Sequence, residues 1–283
     1  VKTHAVIFSK NRTLQLKSLL LSLRFHTDLP EENISVIYVE SGEISYEPLK
    51  SSFRCAFVKQ GTFLEDLRNI VSNSGSNYIQ FMVDDLIFRA PHSAKETEEF
   101  LDHRQDVEAF SPRMGLNITK GGGHPSFERD GKFLIWDTSP LSGRHWNYFW
   151  EVSSSVYRKS LVTEYLAKCR PEKERFPNPF EYHFYSCMPT TRNSGAAGLF
   201  NSLRFFFTKK HSRMACAEKS SCFTQGINLV ADINDSRKEF FAPLTLHKKM
   251  LEGYIISFET PPEGMPDSPN AGERHFKLVR SDV

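Results

Sequence analysis

Two adjacent carboxylates, Asp84 and Asp85, stand in NYIQFMVDDLIFRA between an apolar run, residues 78–83, and an apolar trio, residues 86–88. Like charges at one spot repel, and neither is desolvated cheaply unless a cation or hydrogen-bond donors compensate it. The pair therefore has two readings: a divalent-cation site at the end of a buried strand, or a turn in which both acids face water. Oxygen ligands suit hard ions, so the first reading implies Mn2+ or Mg2+. Ser9, Lys10, Asn11 and Arg12 directly follow another apolar segment, and their cations could pair with phosphate. Glu40 ends a third such segment and could accept hydrogen bonds from a ribose or base. In the second half, Asp137 after FLIW, Glu151 in YFWEVSSS and Glu181 in NPFEYHFY are candidates for a general base.

The elements that must position these residues are clearest in the first third. Residues 4–9 (HAVIFS) form a short β-type run, and Leu14, Leu16, Leu19, Leu20, Leu21 and Leu23 then follow a helical pattern within 13–25. Residues 34–39 are rich in β-branched side chains, 55–58 read as a weaker strand, 63–71 as a helix and 78–83 as a strong strand. Strands and helices alternating at these lengths build βαβ units, hence a parallel sheet with helices on both faces. Ligands bind such sheets beyond the carboxyl ends of the strands. That rule brings Ser9 to Arg12, Glu40 with Ser41 and Gly42, and Asp84 with Asp85 to one crevice.

Beyond this point the pattern is less regular. It predicts a helix over 93–104, a strand over 107–111, a hairpin arm over 133–138, a β segment over 150–157 and a helix over 159–169. A Pro-rich connector spans 170–179, FEYHFYS opens a short helix, and the Pro-rich stretch from 261 to 272 is expected to run irregularly over the surface. Glu181 falls at that helix start, where interaction with the helix dipole is the alternative to catalysis. KGGGH at 120–124 lacks the spacing of a phosphate-binding Walker loop and reads as a turn. Trp146, Tyr148 and Trp150 either stack on a sugar or belong to the core.

Composition narrows the classes. With 283 residues, 39% hydrophobic and 25% charged, the chain reads as a soluble globular protein able to bury a sizeable core. A net charge of +2 argues against nucleic acid as a general partner. Five cysteines without a CxxC pair suggest neither a disulfide framework nor a zinc knuckle, so a reducing, cytoplasmic setting is the default. No segment approaches the roughly 18 uninterrupted apolar residues of a membrane span. The stretch SLRFFFTKKHSR, 202–213, reads as a core element with a basic rim, with peripheral membrane contact as the alternative.

AVIFSKNRTLQLKSLLLSL followed by IYVESG resembles the N-terminal nucleotide-binding portion of GT-A-fold glycosyltransferases related to the family 2 enzymes. FMVDDLIF resembles their DXD region, where a strand ends in acids that bind a divalent cation and the sugar-nucleotide diphosphate. HKKMLEGYIIS is similar to a helix followed by Gly-Tyr-Ile near the end of several bacterial members. The resemblance covers the first third and patches of the rest. It implies an α/β, GT-A-like (Rossmann-like) fold: a mostly parallel sheet flanked by helices, with an irregular acceptor-side second half. A single catalytic domain would then divide into a nucleotide-sugar-binding half (1–112), an acceptor-side half (113–260) and an irregular tail (261–283).

The implied activity is metal-dependent transfer of a sugar from a nucleotide-diphosphate donor, by default a UDP-sugar, to a glycan or other hydroxyl acceptor. Ser9, Lys10, Asn11, Arg12, Glu40 and Asp84 would contact the donor. This sequence departs from the motif, reading Val83-Asp84-Asp85 rather than Asp-X-Asp, which puts the ligand role on Asp85. His247 would complete the metal shell, as a C-terminal histidine does in some GT-A enzymes; its alternative is a half-buried helix-start residue. Glu181, then Asp137 and Glu151, would supply the base. Two other readings stay open: a catalytically silent GT-A-like domain that binds a glycan or partner, and a phosphate-handling enzyme such as a nucleotidyltransferase. Against the latter, no glycine-rich signature follows the first strand.

Overall fold

The computed structural model of the protein describes residues 1–138, 145–188, 212–228, 241–261 and 263–281. Four parallel strands lie in the order β3-β2-β1-β4: β1 (Thr3–Lys10), β2 (Ile34–Val39), β3 (Ala56–Lys59) and β4 (Tyr78–Val83). They alternate with helices α1 (Thr13–His26), α2 (Glu47–Lys50) and α3 (Phe63–Asn73). Beyond β4 the sheet continues through β9 (Val156–Arg158), β6 (Ala109–Phe110), β10 (Arg213–Ala217), β8 (Phe133–Asp137) and β7 (Glu128–Asp130), nine strands among the described residues. The pairings set β8 and β9 against the direction shared by the other strands, so the sheet is mostly parallel.

Strand alternation sends successive side chains to opposite faces. Ala5 and Ile7 of β1 join a core with α1 and α7 (Pro243–Leu251), while Val6 and Phe8 join another with α3, α5 (Lys159–Lys168) and α6 (Pro177–Cys187). Strands covered on both faces read as near-continuous apolar runs, which is why 34–39 and 78–83 were so legible. Helix α1 is buried nearly all round because β5 (Leu86–Phe88), β12 (Tyr254–Ile256) and α7 also pack on it. Helix α4 (Ala94–His103) contributes Phe100 and Leu101 to a third cluster with Phe110, Ile135 and Ala215.

Three expected elements differ. The β segment over 150–157 shrinks to β9, because the Glu151 carboxylate takes up the N–H groups of residues 153–155 in a local loop. The strand over 107–111 shortens to β6. The stretch from 261 is held down: the Asp267 carbonyl accepts from the Thr119 and Lys120 N–H groups, and β13 (Leu278–Arg280) pairs antiparallel with β12. These bonds join segments far apart in the chain, so no local pattern announces them. All five cysteines are free thiols. No described helix is long and apolar enough to cross a membrane. Residues 202–211 of the basic stretch lie outside the described residues.

Candidate active site

The carboxyl ends of β1, β2 and β4 come together in register, with Lys10 opposite Val39 and Phe8 opposite Val83. Strand β6 runs the same way and delivers Arg113 three residues beyond its end. Strand β9 runs against β4, so its beginning lies at this same edge and carries Glu151 there, with the Ser155 carbonyl accepting from the Phe81 N–H.

The turn from β1 into α1 passes through Asn11, whose φ of 56° is left-handed. Asparagine tolerates that region through local side-chain hydrogen bonds, and here Nδ2 donates to Ser41 Oγ at 2.7 Å while Oδ1 accepts the Ser41 N–H at 2.9 Å. The end of β1 is thereby stapled to the end of β2. Glu40 accepts the Tyr46 N–H at 3.1 Å and pairs with Lys59 at 3.0 Å, and the Lys59 hydrogen bond holds its carboxyl below the usual range. Lys10 is exposed beside them.

Asp84 is buried. One oxygen accepts from Ser9 Oγ at 2.9 Å and the Lys10 N–H at 3.2 Å, and the other from Arg12 Nη1 at 3.0 Å. The same Arg12 nitrogen reaches Asp85 at 3.1 Å. The guanidinium's other nitrogens bind Asn228: Nε donates to Oδ1 at 2.9 Å and Nη2 to the backbone carbonyl. Asn228 is itself held by Gln15 and by the Phe241 carbonyl. Burial first, and then the charge of Asp85, push the Asp84 pKa up against the pull of Arg12. Burial works against the charge of Arg12 as well, but the two carboxylates outweigh it and raise its pKa.

These contacts decide the fit of a divalent cation. Both carboxylates already face Arg12, and among the described residues no group of three or more His, Cys, Asp or Glu side chains is placed to hold a metal. His247, expected to complete a shell, is buried on α7 with Nδ1 2.8 Å from Thr13 Oγ1. The residues at the acid pair, as placed, do not fit a metal centre.

The second-half acids separate. Glu151 is 3% exposed and accepts from the N–H groups of Ser153, Ser154 and Ser155, from Ser154 Oγ and from Arg113 at 3.0 Å. Burial pushes its pKa up, but Arg113 and these donors outweigh burial and the net shift is downward. Its oxygens are committed to shaping the loop. Glu181 is not at a helix start: α6 begins at Pro177, and no acid lies in its first turn. It accepts from the Tyr148 hydroxyl and, at 3.0 Å, from the Val152 N–H. Burial raises its pKa, and the charge of Glu151 adds to the rise. Asp137 ends β8, which runs against β10, and so lies beside Arg213 at the opposite edge of the sheet. Trp146 and Trp150 are core residues, Trp150 stacking on Phe184 at 4.3 Å, while Tyr148 alone of that aromatic group reaches an acid.

Sequence reasoning missed Arg113 and Asn228, and it offered Tyr148 only as a stacking or core residue, not as the hydrogen-bond donor to Glu181. The strand-end rule would have found Arg113 once β6 was known to run with β4; nothing local marks Asn228. A cavity of about 380 Å³ lined by Asp106, Glu108, Arg158 and Glu164 lies at the opposite edge, away from these groups.

No family model and no curated protein matches the chain. Solved structures similar to it include S. aureus TarS 1-349, at 12% identity and a TM-score of 0.43 over 79% of this chain and 60% of that one. The mannosyltransferase PcManGT from Pyrobaculum calidifontis, in complex with GDP-Man and Mn2+, aligns at 12% identity with a TM-score of 0.38, over 62% of this chain and 49% of that one. A cytidylyltransferase from Leptospira borgpetersenii aligns at 13% identity with a TM-score of 0.38, over 65% and 71%. The chain thus spans less than two thirds of TarS 1-349 and about half of PcManGT.

Proposed function

We propose that the chain is a GT-A-like glycosyltransferase that moves a sugar from a nucleotide-diphosphate donor, a UDP-sugar first among candidates, to a hydroxyl of a glycan or other acceptor. The observations that support this reading are the strand-end platform, Ser9 to Arg12 with Glu40 and Ser41, and Glu181, a carboxylate of raised pKa that accepts the N–H of Val152 on the Glu151 loop leading into β9. The stapled Asn11–Ser41 turn and Glu40 would receive the nucleoside, and exposed Lys10 the diphosphate. Glu181 would take the proton of the acceptor hydroxyl as its oxygen bonds to the anomeric carbon. The bond from that carbon to the diphosphate breaks, the nucleoside diphosphate leaves with the electron pair, and the configuration inverts. A carboxylate of raised pKa suits that task, because a base works best near the operating pH. Glu151 is the less suitable base, since its lone pairs are already occupied. Mn2+ or Mg2+ enters no step here, because the acid pair is closed by Arg12.

The test is thermal unfolding with UDP, GDP and CMP, followed by turnover of UDP-GlcNAc and GDP-mannose, the sugar nucleotides held in two of the similar structures. One nucleotide should stabilise the protein. Glu181→Gln should then lower turnover by about 10²–10⁴-fold with nucleotide affinity unchanged. No stabilisation by any of the three removes the reading. Binding without turnover would leave a silent domain.

A further inference from the structure

We infer that Arg12 is the resident cation of the Asp84–Asp85 pair, so that nucleotide binding at this edge is independent of a divalent metal; the nucleotide half of this statement rests on the function proposed above. A single nitrogen of Arg12 sits 3.0 Å from one carboxylate and 3.1 Å from the other, and the remaining guanidinium nitrogens are anchored on Asn228. Arg12 is 8% exposed, so its charge is held where two acids would otherwise repel in a poorly solvated place. A metal drawing on the same oxygens would have to expel a buried guanidinium, strip Asn228 of two donors and leave that positive charge nearby. Asp84 cannot compensate, because its other oxygen is taken by Ser9 and the Lys10 N–H. Mg2+ is commonly held by one or two carboxylates with waters and substrate phosphates. Three of the four oxygens here already accept from Arg12, Ser9 or the Lys10 N–H, and a cation taken up through the fourth, on Asp85, would stand beside the guanidinium charge.

Two carboxylates and one guanidinium leave a single negative charge, with exposed Lys10 next to it in the chain and its N–H on Asp84. Arg12 also closes the loop between β11 (Cys222–Thr224) and Asn228 onto the end of β4, where the Gln225 N–H donates to the Asp85 carbonyl at 2.7 Å. It is a positioning residue as well as a counter-ion.

The experiment titrates Mn2+ into the nucleotide-free wild-type chain and into Arg12→Met, reading free Mn2+ by electron paramagnetic resonance and unfolding temperature in parallel. Wild type should leave the Mn2+ signal and the unfolding temperature unchanged. Arg12→Met should unfold earlier and be restored by Mn2+, whose binding to the bared acids stabilises the folded state. Mn2+ uptake by wild type, or an Arg12→Met protein indifferent to Mn2+, overturns the inference. Should Arg12→Met fail to fold, Arg12→Lys keeps the charge, and the wild-type titration still decides. A second arm measures UDP and GDP affinity of wild type in EDTA and in Mn2+. Agreement within about twofold supports metal independence, and a gain of about tenfold or more with Mn2+, roughly 1.4 kcal/mol, overturns it. Failure of both nucleotides to bind in either condition would refute the proposed function while the nucleotide-free titration still judged Arg12.

Discussion

Replacing Glu151 by glutamine separates a structural carboxylate from a catalytic one. In the folded chain this group is 3% exposed, and it accepts from three backbone N–H groups, one hydroxyl and Arg113. Glutamine keeps the volume but presents an NH2 to those donors and leaves the Arg113 charge without its carboxylate. Removing one partner of a buried pair costs about 3–5 kcal/mol. At about 2 °C per kcal/mol for a chain of this size, unfolding should fall by about 6–10 °C at pH 7. Because the folded pKa is depressed, the stabilisation is fully present above the unfolded value of about 4.3 and is lost as pH falls through the folded one. The gap between wild type and Glu151→Gln should therefore stay constant from pH 8 to about 5 and narrow below about 4. Differential scanning calorimetry across that range reads both. A variant that unfolds with wild type at pH 7 yet has lost turnover would refute the structural role and return Glu151 to the chemistry.

Three other outcomes follow from the same contacts. Asp137→Asn, altered at the edge opposite the acid pair, should keep turnover within about twofold of wild type, and a loss approaching the 10²-fold worth of a general base would overturn the placement of that edge. Asn11→Ala and Asn11→Gly both lose the staple to Ser41, but alanine must also hold the left-handed φ, so it should be less stable by about 1–2 kcal/mol in urea unfolding. Equal stability would mean that the turn relaxes. Gly115→Ala should lose about 1–3 kcal/mol by chemical denaturation, because the added Cβ would meet the Lys219 carbonyl carbon at 2.7 Å and the Ser220 nitrogen closer still, and backbone yields poorly; an unaffected variant would show that the two loops can part.

The alternation of the first third was decided by the sequence alone. Residues 34–39 and 78–83 coincide with β2 and β4, because strands buried on both faces are predominantly apolar, and the leucines of 13–25 mark α1 because it is packed nearly all round. Parallel strands then placed Ser9 to Arg12, Glu40 and Asp84–Asp85 at one edge without further information. What the acids do there was not local. The pair is closed by Arg12, 72 residues away from Asp84, and Arg12 is anchored on Asn228 at a separation of 216 residues. Asp137 stood behind Glu181 as a further candidate base, and the antiparallel pairing of β8 with β10 sent it to the far edge. Glu151 and Glu181 are the same residue type with opposite pKa shifts, since Arg113 and a ring of N–H donors surround one and two neutral donors meet the other. A carboxylate's charge is set by the donors and counter-charges around it, and those are assembled from distant parts of the chain only when it folds.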